Sequence, residues 1–359
     1  MQLTNMSLAQ FRTYRKDILL FSPAVTLLLG PNAIGKTNIL EAISMLSTGK
    51  SFRAKKDTDV VGWNSEIARI VGKGTNKQEE FILELVVTTG SVNNQKTPIK
   101  KYLVNNVPRR QMDFIGNFRS VLFSPKDLEL VTDSPSMRRE YLNTVLVQVD
   151  REYRRNFQSY ERGLRQRNSL LDRINEGTAS RSQLLFWNQL LIKAGSYITQ
   201  SRKRYIDTIN AYAFSHLSYQ LVYDPSVISA VRLQEYAQEE IAAKSTLVGP
   251  QRDDFLFEKQ MSKKTIDISR FGSRGEQRLA VLWLKLAELT FIESETEERP
   301  ILLLDDIFSE LDETSRELVL DLIQKQQTLI TSAEEDVEEL IRHIPHVQIL
   351  RLPLKSKVQ

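Results

Sequence analysis

The 359-residue chain contains no cysteine. That excludes a disulfide framework and any thiolate metal or catalytic site, and it is compatible with a reducing cytoplasm. No apolar run approaches the ~20 residues that a membrane span needs. The start, Met1-Gln2-Leu3-Thr4-Asn5, has neither the basic region nor the apolar core of a signal peptide. Internal repeats and low-complexity segments are also missing. A soluble, cytoplasmic protein of one to three domains is expected, with no membrane partner.

Net charge is only +4, but it is unevenly placed. Between Arg138 and Arg204 there are 14 Lys and Arg against 6 Asp and Glu, a surplus of eight. The rest of the chain carries 35 against 39. A locally basic helical segment is the electrostatic footprint of a nucleic-acid binder, and equally the look of a solvated arginine-rich helix face.

The first ~120 residues read as mixed strand and helix. Strands are expected at Gln2–Leu8, Ile18–Phe21, Val25–Leu29, Ala68–Lys73, Phe81–Thr88, Lys101–Val104 and Ser120–Phe123, with Ser91–Pro98 an exposed loop. Ser134-Pro135 opens a helical region that continues to Phe214, broken at Gly177-Thr178. Its aromatics (Tyr153, Phe157, Tyr160, Phe186, Trp187, Tyr197) fit core packing better than base stacking. Strands return at Tyr219–Tyr223, Phe255–Phe257, Thr265–Ile268, Ile301–Leu304 and Thr328–Thr331, with an edge at Val347–Leu350 and a long helix from Arg274 to Phe291.

Within this frame lies a phosphate-binding loop. The apolar Leu27-Leu28-Leu29 precedes Gly30-Pro31-Asn32-Ala33-Ile34-Gly35-Lys36-Thr37, and Asn38-Ile39-Leu40-Glu41-Ala42 continues as helix. This is G-x-x-x-x-G-K-T in its strand–loop–helix context. Glycines let backbone N–H groups turn inward, and the helix start adds partial positive charge. Lys36 reaches the β- and γ-phosphates as a point charge, and the Thr37 hydroxyl is a Mg²⁺ ligand. The bland alternative is a Gly-rich turn that opens a structural helix.

Ile301-Leu302-Leu303-Leu304-Asp305-Asp306 is the matching Walker B pattern. A core strand delivers Asp305 to the γ-phosphate to hold Mg²⁺, and Asp306 is placed to orient or deprotonate the attacking water. Ser273-Arg274-Gly275-Glu276-Gln277 fits the S-x-G-x-Q core of an ATP-binding-cassette (ABC) signature at a helix N-terminus. Ser309-Glu310-Leu311-Asp312 follows at the spacing of a D-loop. S-x-G-x-Q alone is usually a helix cap, but the order of the four motifs makes it specific. In ABC-type ATPases the signature binds the γ-phosphate held by a second subunit, so an ATP-dependent homodimer is implied.

Within that class a transporter motor fits poorly. Of His216, His343 and His346, none follows Thr328-Leu329-Ile330, where a switch histidine would stand; Thr331 is there instead. No glutamine lies between Met112 and Val147, where a Q-loop is expected. The interval from Asn38 to Gly272 is too short for the long coiled coil of a chromosome-maintenance head. A regulatory subunit of another effector complex and a chromosome-organising head are the alternative functions.

Further stretches are distinctive. They are Phe11-Arg12, the run Gly30–Ala42, Gly49-Lys50-Ser51-Phe52-Arg53, Phe123-Ser124-Pro125-Lys126-Asp127-Leu128, and Ser134-Pro135 with Arg138-Arg139. Leu247-Val248-Gly249-Pro250-Gln251-Arg252-Asp253-Asp254, Ser273–Arg278 and Leu303–Asp312 complete the set. Together they resemble the RecF family of bacterial recombination mediators over essentially the whole chain. One departure is Gln251, where that family more often has histidine, which leaves the role of this side chain open.

The resemblance implies an α/β fold. A P-loop ABC-type ATPase head, with a mixed β-sheet lobe, would comprise 1–123 and 246–359, and a mainly helical second lobe with basic helices 124–245. It implies a weak DNA-dependent ATPase that uses ATP and Mg²⁺. Such a protein would form an ATP-driven dimer clamp on double-stranded DNA at single-strand gaps and junctions. RecO- and RecR-like proteins are the implied partners, and the clamp would indirectly help RecA replace single-strand-binding protein in replication, recombinational repair and the SOS response. Arg12 joins the ATP-binding set Gly30–Asn38, though Arg12 and Arg53 serve equally well as ion pairs that hold the fold. Asp306 is one methylene shorter than the glutamate of transporters, and slow hydrolysis suits a timed clamp.

Overall fold

The computed structural model describes residues 1–353 except 78, 213, 215–217 and 262–263. The chain divides into two compact units, Met1–Leu128 with Glu288–Gln359, and Glu129–Ala287. The expected boundaries lay at 123/124 and 245/246. The later one moves because Asp254–Gln260 is a strand paired with both Tyr219–Asp224 and Thr265–Asp267. Residues 246–287 thus belong to the helical unit.

The first unit holds two main sheets. Six antiparallel strands run in the order Tyr14–Leu20, Gln2–Phe11, Ile67–Thr75, Glu80–Thr88, Lys100–Val104, Val107–Arg109. Ile67–Thr75 alternates buried and exposed positions, the pattern of a sheet with one covered face. A five-stranded parallel sheet has the order Ser120–Phe123, Ile301–Asp305, Thr328–Ser332, Val25–Leu29, Gln348–Arg351. Its three central strands are buried at every residue, as covering on both faces requires. The expected edge strand near the C-terminus pairs directly with the P-loop strand. The stretch Ser91–Pro98, expected as a loop, contains a two-stranded hairpin, Ser91–Val92 with Gln95–Lys96. Asn93 and Asn94 both take positive φ there (48° and 61°), as a tight primed turn demands.

In the second unit the helical run from Ser134 is interrupted at Asp150. This residue ends the helix Pro135–Val149 and caps the next, Arg151–Asn175, by accepting the Tyr153 N–H at 2.9 Å. Arg151–Asn175 and Leu184–Asn210 form an antiparallel hairpin across the predicted break at Gly177. Its direction shows in the bonds Arg202 Nε to the Tyr153 hydroxyl (3.3 Å) and Arg167 Nε to Asn188 Oδ1 (2.8 Å). The close approach needs Gly163, where a Cβ would sit 2.7 Å from Leu190 Cδ2.

Three of the eight surplus charges of the basic segment are neutralised inside the fold by carboxylates from beyond it. Arg138 pairs with Asp254 at 2.6 Å, Arg167 with Glu240 at 2.7 Å and Arg202 with Asp253 at 2.8 Å. Tyr153 and Tyr160 are core, as expected, but Phe186 is 63% exposed. Among the described residues no helix is long and apolar enough to cross a membrane.

Candidate nucleotide site

The site grows from the carboxyl ends of the buried parallel strands, where open α/β sheets bind ligands. After Val25–Leu29 the chain turns through Gly30–Gly35 into the helix Lys36–Thr48. Gly35 has φ 109°, and a Cβ there would stand 3.0 Å from Thr13 Oγ1 and 3.2 Å from the Tyr14 hydroxyl. Only glycine fits that backbone. The Tyr14 hydroxyl donates to Gly35 O at 3.2 Å and holds the loop's end against the first β-hairpin. Pro31, Asn32 and Ala33 are exposed, Ile34 is half-buried, and Ala33 has φ 64°. The helix has no acidic residue in its first turn, so its positive end is not neutralised from within.

Lys36 donates to Gly30 O at 2.6 Å and Pro31 O at 3.0 Å. Burial lowers its pKa, against the pull of Asp306 and Asp305. Thr37 Oγ1 donates to Asp305 Oδ1 at 2.9 Å, joining residues 268 apart in sequence. Asp305 is 7% exposed, and burial raises its pKa despite the hydrogen bonds from Thr331 and Thr37.

Thr331, noted in the sequence only as standing where a switch histidine would be, is a structural link. Its Oγ1 donates to Asp305 Oδ1 at 2.8 Å and accepts the Asp306 N–H at 3.0 Å. Asp306 has φ 53°, a conformation that this N–H bond helps to hold. Its carbonyl accepts from Ser309 Oγ at 2.9 Å. Asp312, the other D-loop position, caps the helix Glu313–Ile323 by accepting the Ser315 N–H at 2.9 Å.

Behind the loop sits a buried carboxylate that motif reading passed over. Glu41, with no exposure, accepts from Arg12 at 2.9 and 2.6 Å, from Arg53 at 3.0 and 2.8 Å, and from Ser51 Oγ at 2.5 Å. Burial pushes its pKa up, but the hydrogen bonds from Arg12, Arg53 and Ser51 outweigh that and hold it below 4.5. Arg12 also donates to Asp59 O at 2.7 Å, and Arg53 bonds Asn38, whose Nδ2 donates to Thr13 Oγ1 at 2.9 Å. Arg12 and Arg53 thus both form ion pairs with Glu41. A sequence signal existed in Glu41, an acid on an otherwise apolar stretch of helix.

The signature belongs to the second unit. Ser273, Arg274 and Gly275 are exposed. The Ser273 N–H donates to Glu276 Oε2 at 3.0 Å and Ser273 Oγ accepts the Glu276 N–H at 3.3 Å, a capping box. Gln277 Nε2 donates to Ile268 O at 3.3 Å and Gly272 O at 3.4 Å. Gln251 accepts from the Tyr160 hydroxyl and donates to Val248 O at 3.0 Å and Thr246 O at 3.3 Å, so its side chain braces its own loop.

Residues 2–349 match the RecF/RecN/SMC N terminal domain. DNA replication and repair protein RecF of Herpetosiphon aurantiacus is 35% identical over 94% of each chain. The chain belongs to the RecF family. The RecF of Roseiflexus castenholzii is 36% identical, again over 94% of each chain. Among solved structures, the recombination mediator protein RecF-ATPrS of the RecFOR pathway superposes with a TM-score of 0.83 at 28% identity, covering 98% of this chain and 96% of that one. RecF-ATP of the same pathway gives 0.81 at 30% identity, covering 92% of each. The expected α/β ABC-type head with a mainly helical second lobe is the RecF-family fold found here.

Proposed function

We propose that this RecF-family protein binds ATP at Gly30–Asn38 and hydrolyses it slowly to time its hold on DNA during replication and recombinational repair. The observation that carries the reading is the Thr37–Asp305 hydrogen bond, which joins the two halves of an ATP site across the sheet. The likeness to RecF-ATP supports it.

The donor set fits Mg²⁺. A hydroxyl and a carboxylate are hard oxygens, and Mg²⁺ characteristically takes one or two such ligands beside substrate phosphates. When bound, the ion neutralises charge on the phosphate oxygens. Thr37 and Asp305 would hold it, Lys36 would leave its loop carbonyls for the phosphates, and Asp306 would orient the attacking water. Ser273, Arg274, Gly275 and Gln277 would close over the ATP of a second subunit, with Ser309 and Asp312 near the seam. The dimer would clamp duplex DNA at single-strand junctions and act with RecO- and RecR-like proteins toward RecA.

Light scattering with ATP, Mg²⁺ and duplex DNA tests this. Wild type should become a dimer, and Lys36→Met should stay monomeric. A wild-type monomer at saturating ATP and DNA would defeat the clamp.

A further inference from the structure

We infer that one face of the helix Arg151–Asn175 is a docking stripe for the phosphate backbone of duplex DNA. This deepens the DNA-binding reading above and rests on it. The helix carries seven arginines and no lysine. Arg154 donates to Val147 O at 2.6 Å and Arg167 is buried against Glu240, so those two belong to the fold. The other five, Arg151, Arg155, Arg162, Arg165 and Arg173, are exposed.

At 3.6 residues per turn these five fall within an arc of about 80°. The buried face, marked by Tyr153, Tyr160, Gly163, Arg167 and Leu171, lies on the opposite side. Between the arginines the stripe shows Gln158 and Ser169, both exposed hydrogen-bonding side chains. The helix's own carboxylates, Glu152, Glu161 and Asp172, fall outside the arc; Glu152 sits 3.7 Å from Arg155, and Asp172 is held by Lys244 at 2.6 Å. Like charges at i,i+4 (Arg151 and Arg155) and i,i+3 (Arg162 and Arg165) work against the helix, a cost that an opposite charge on a partner removes.

The chemistry selects the partner. Guanidinium forks match phosphate oxygens in two-point geometry, and glutamine and serine add neutral contacts to the same oxygens. From Arg151 to Arg173 the stripe is about 33 Å long at 1.5 Å per residue, close to one ~34 Å turn of duplex DNA. Single strands are held by stacking bases on aromatic rings as well as by charge. No aromatic lies in the arc: Tyr153 and Tyr160 are buried, and Phe157 stacks on Tyr153 with ring centroids 6.0 Å apart. The stripe therefore reads as a sequence-independent contact to duplex.

The test uses the full chain with ATP and Mg²⁺, and a labelled duplex and single strand titrated by anisotropy at several salt concentrations. The variant Arg155→Gln/Arg162→Gln/Arg165→Gln/Arg173→Gln should reduce the slope of log K against log salt for duplex by about three to four, roughly 0.9 for each phosphate no longer neutralised. Its thermal transition and ATP binding should match wild type. The fourfold Arg→Lys variant should keep most of the slope. An unchanged slope in the glutamine variant overturns the inference while the DNA-binding reading stands. Weakened binding to single strand with duplex binding retained overturns the choice of partner. A wild type that binds no DNA removes the reading beneath it.

Discussion

Glu41→Gln is the perturbation on which the nucleotide lobe's interior should turn. The carboxylate has no exposure, and both oxygens receive guanidinium donors, from Arg12 at 2.6–2.9 Å and from Arg53 at 2.8–3.0 Å. Glutamine is the same size, but its NH₂ would face N–H donors where an acceptor is required. Removing one member of a buried ion pair typically costs about 3–5 kcal/mol. Here the arginines are 20% and 35% exposed and can regain some hydration, which brings the estimate to about 2–3 kcal/mol. For a unit of this size, at ~2–4 °C per kcal/mol, calorimetry should show the transition of the P-loop unit about 5–10 °C lower.

The effect also has a pH signature. Glu41's pKa is held below the ordinary 4.5 in the folded state, so its contribution is complete above that value and is lost as pH falls through the lowered pKa. The gap between wild type and Glu41→Gln should be full at neutral pH and close in acid. A variant that melts within ~2 °C of wild type at pH 7 would refute a fold-holding role for Arg12 and Arg53. A double-mutant cycle with Arg53→Ala should give a coupling of at least ~1 kcal/mol, since the two residues are in contact.

Three further outcomes are expected. Thr331→Val removes the hydroxyl that bonds both Asp305 and Asp306; at ~1–2 kcal/mol for such a loss, turnover should fall about tenfold and the Mg²⁺-dependent gain in thermal stability with ATP should shrink. Thr331→Ser should restore both, and equal behaviour of the two variants would leave Thr331 without a positioning role. Asp306→Asn should trap the ATP-bound dimer, seen as a complex that persists for hours by size exclusion; undiminished turnover would remove Asp306 from the reaction. Ser273→Arg should keep nucleotide binding but give no ATP-dependent dimer in light scattering, and a normal dimer would show that the signature does not close in trans.

Sequence alone determined what rests on neighbouring residues. The buried run Val25–Leu29, the glycine at a backbone only glycine adopts, and the helix that begins at Lys36 lie within one short stretch, so the phosphate loop was legible before any fold was known. Ile301–Asp305 was legible for the same reason, as a continuous apolar run ending in acid. Tertiary structure decided what depends on residues distant along the chain. Strand order puts Thr328–Ser332 between Val25–Leu29 and Ile301–Asp305, and only that neighbourhood turns Thr331 from a missing histidine into the link between Asp305 and Asp306. Folding likewise divided the arginines of the basic segment. Arg138, Arg167 and Arg202 meet carboxylates from residues 240–254, whereas five on one helix face stay at the surface. Composition counts charge, but burial decides which charges remain for a partner, because a guanidinium taken out of water must be paired inside the fold.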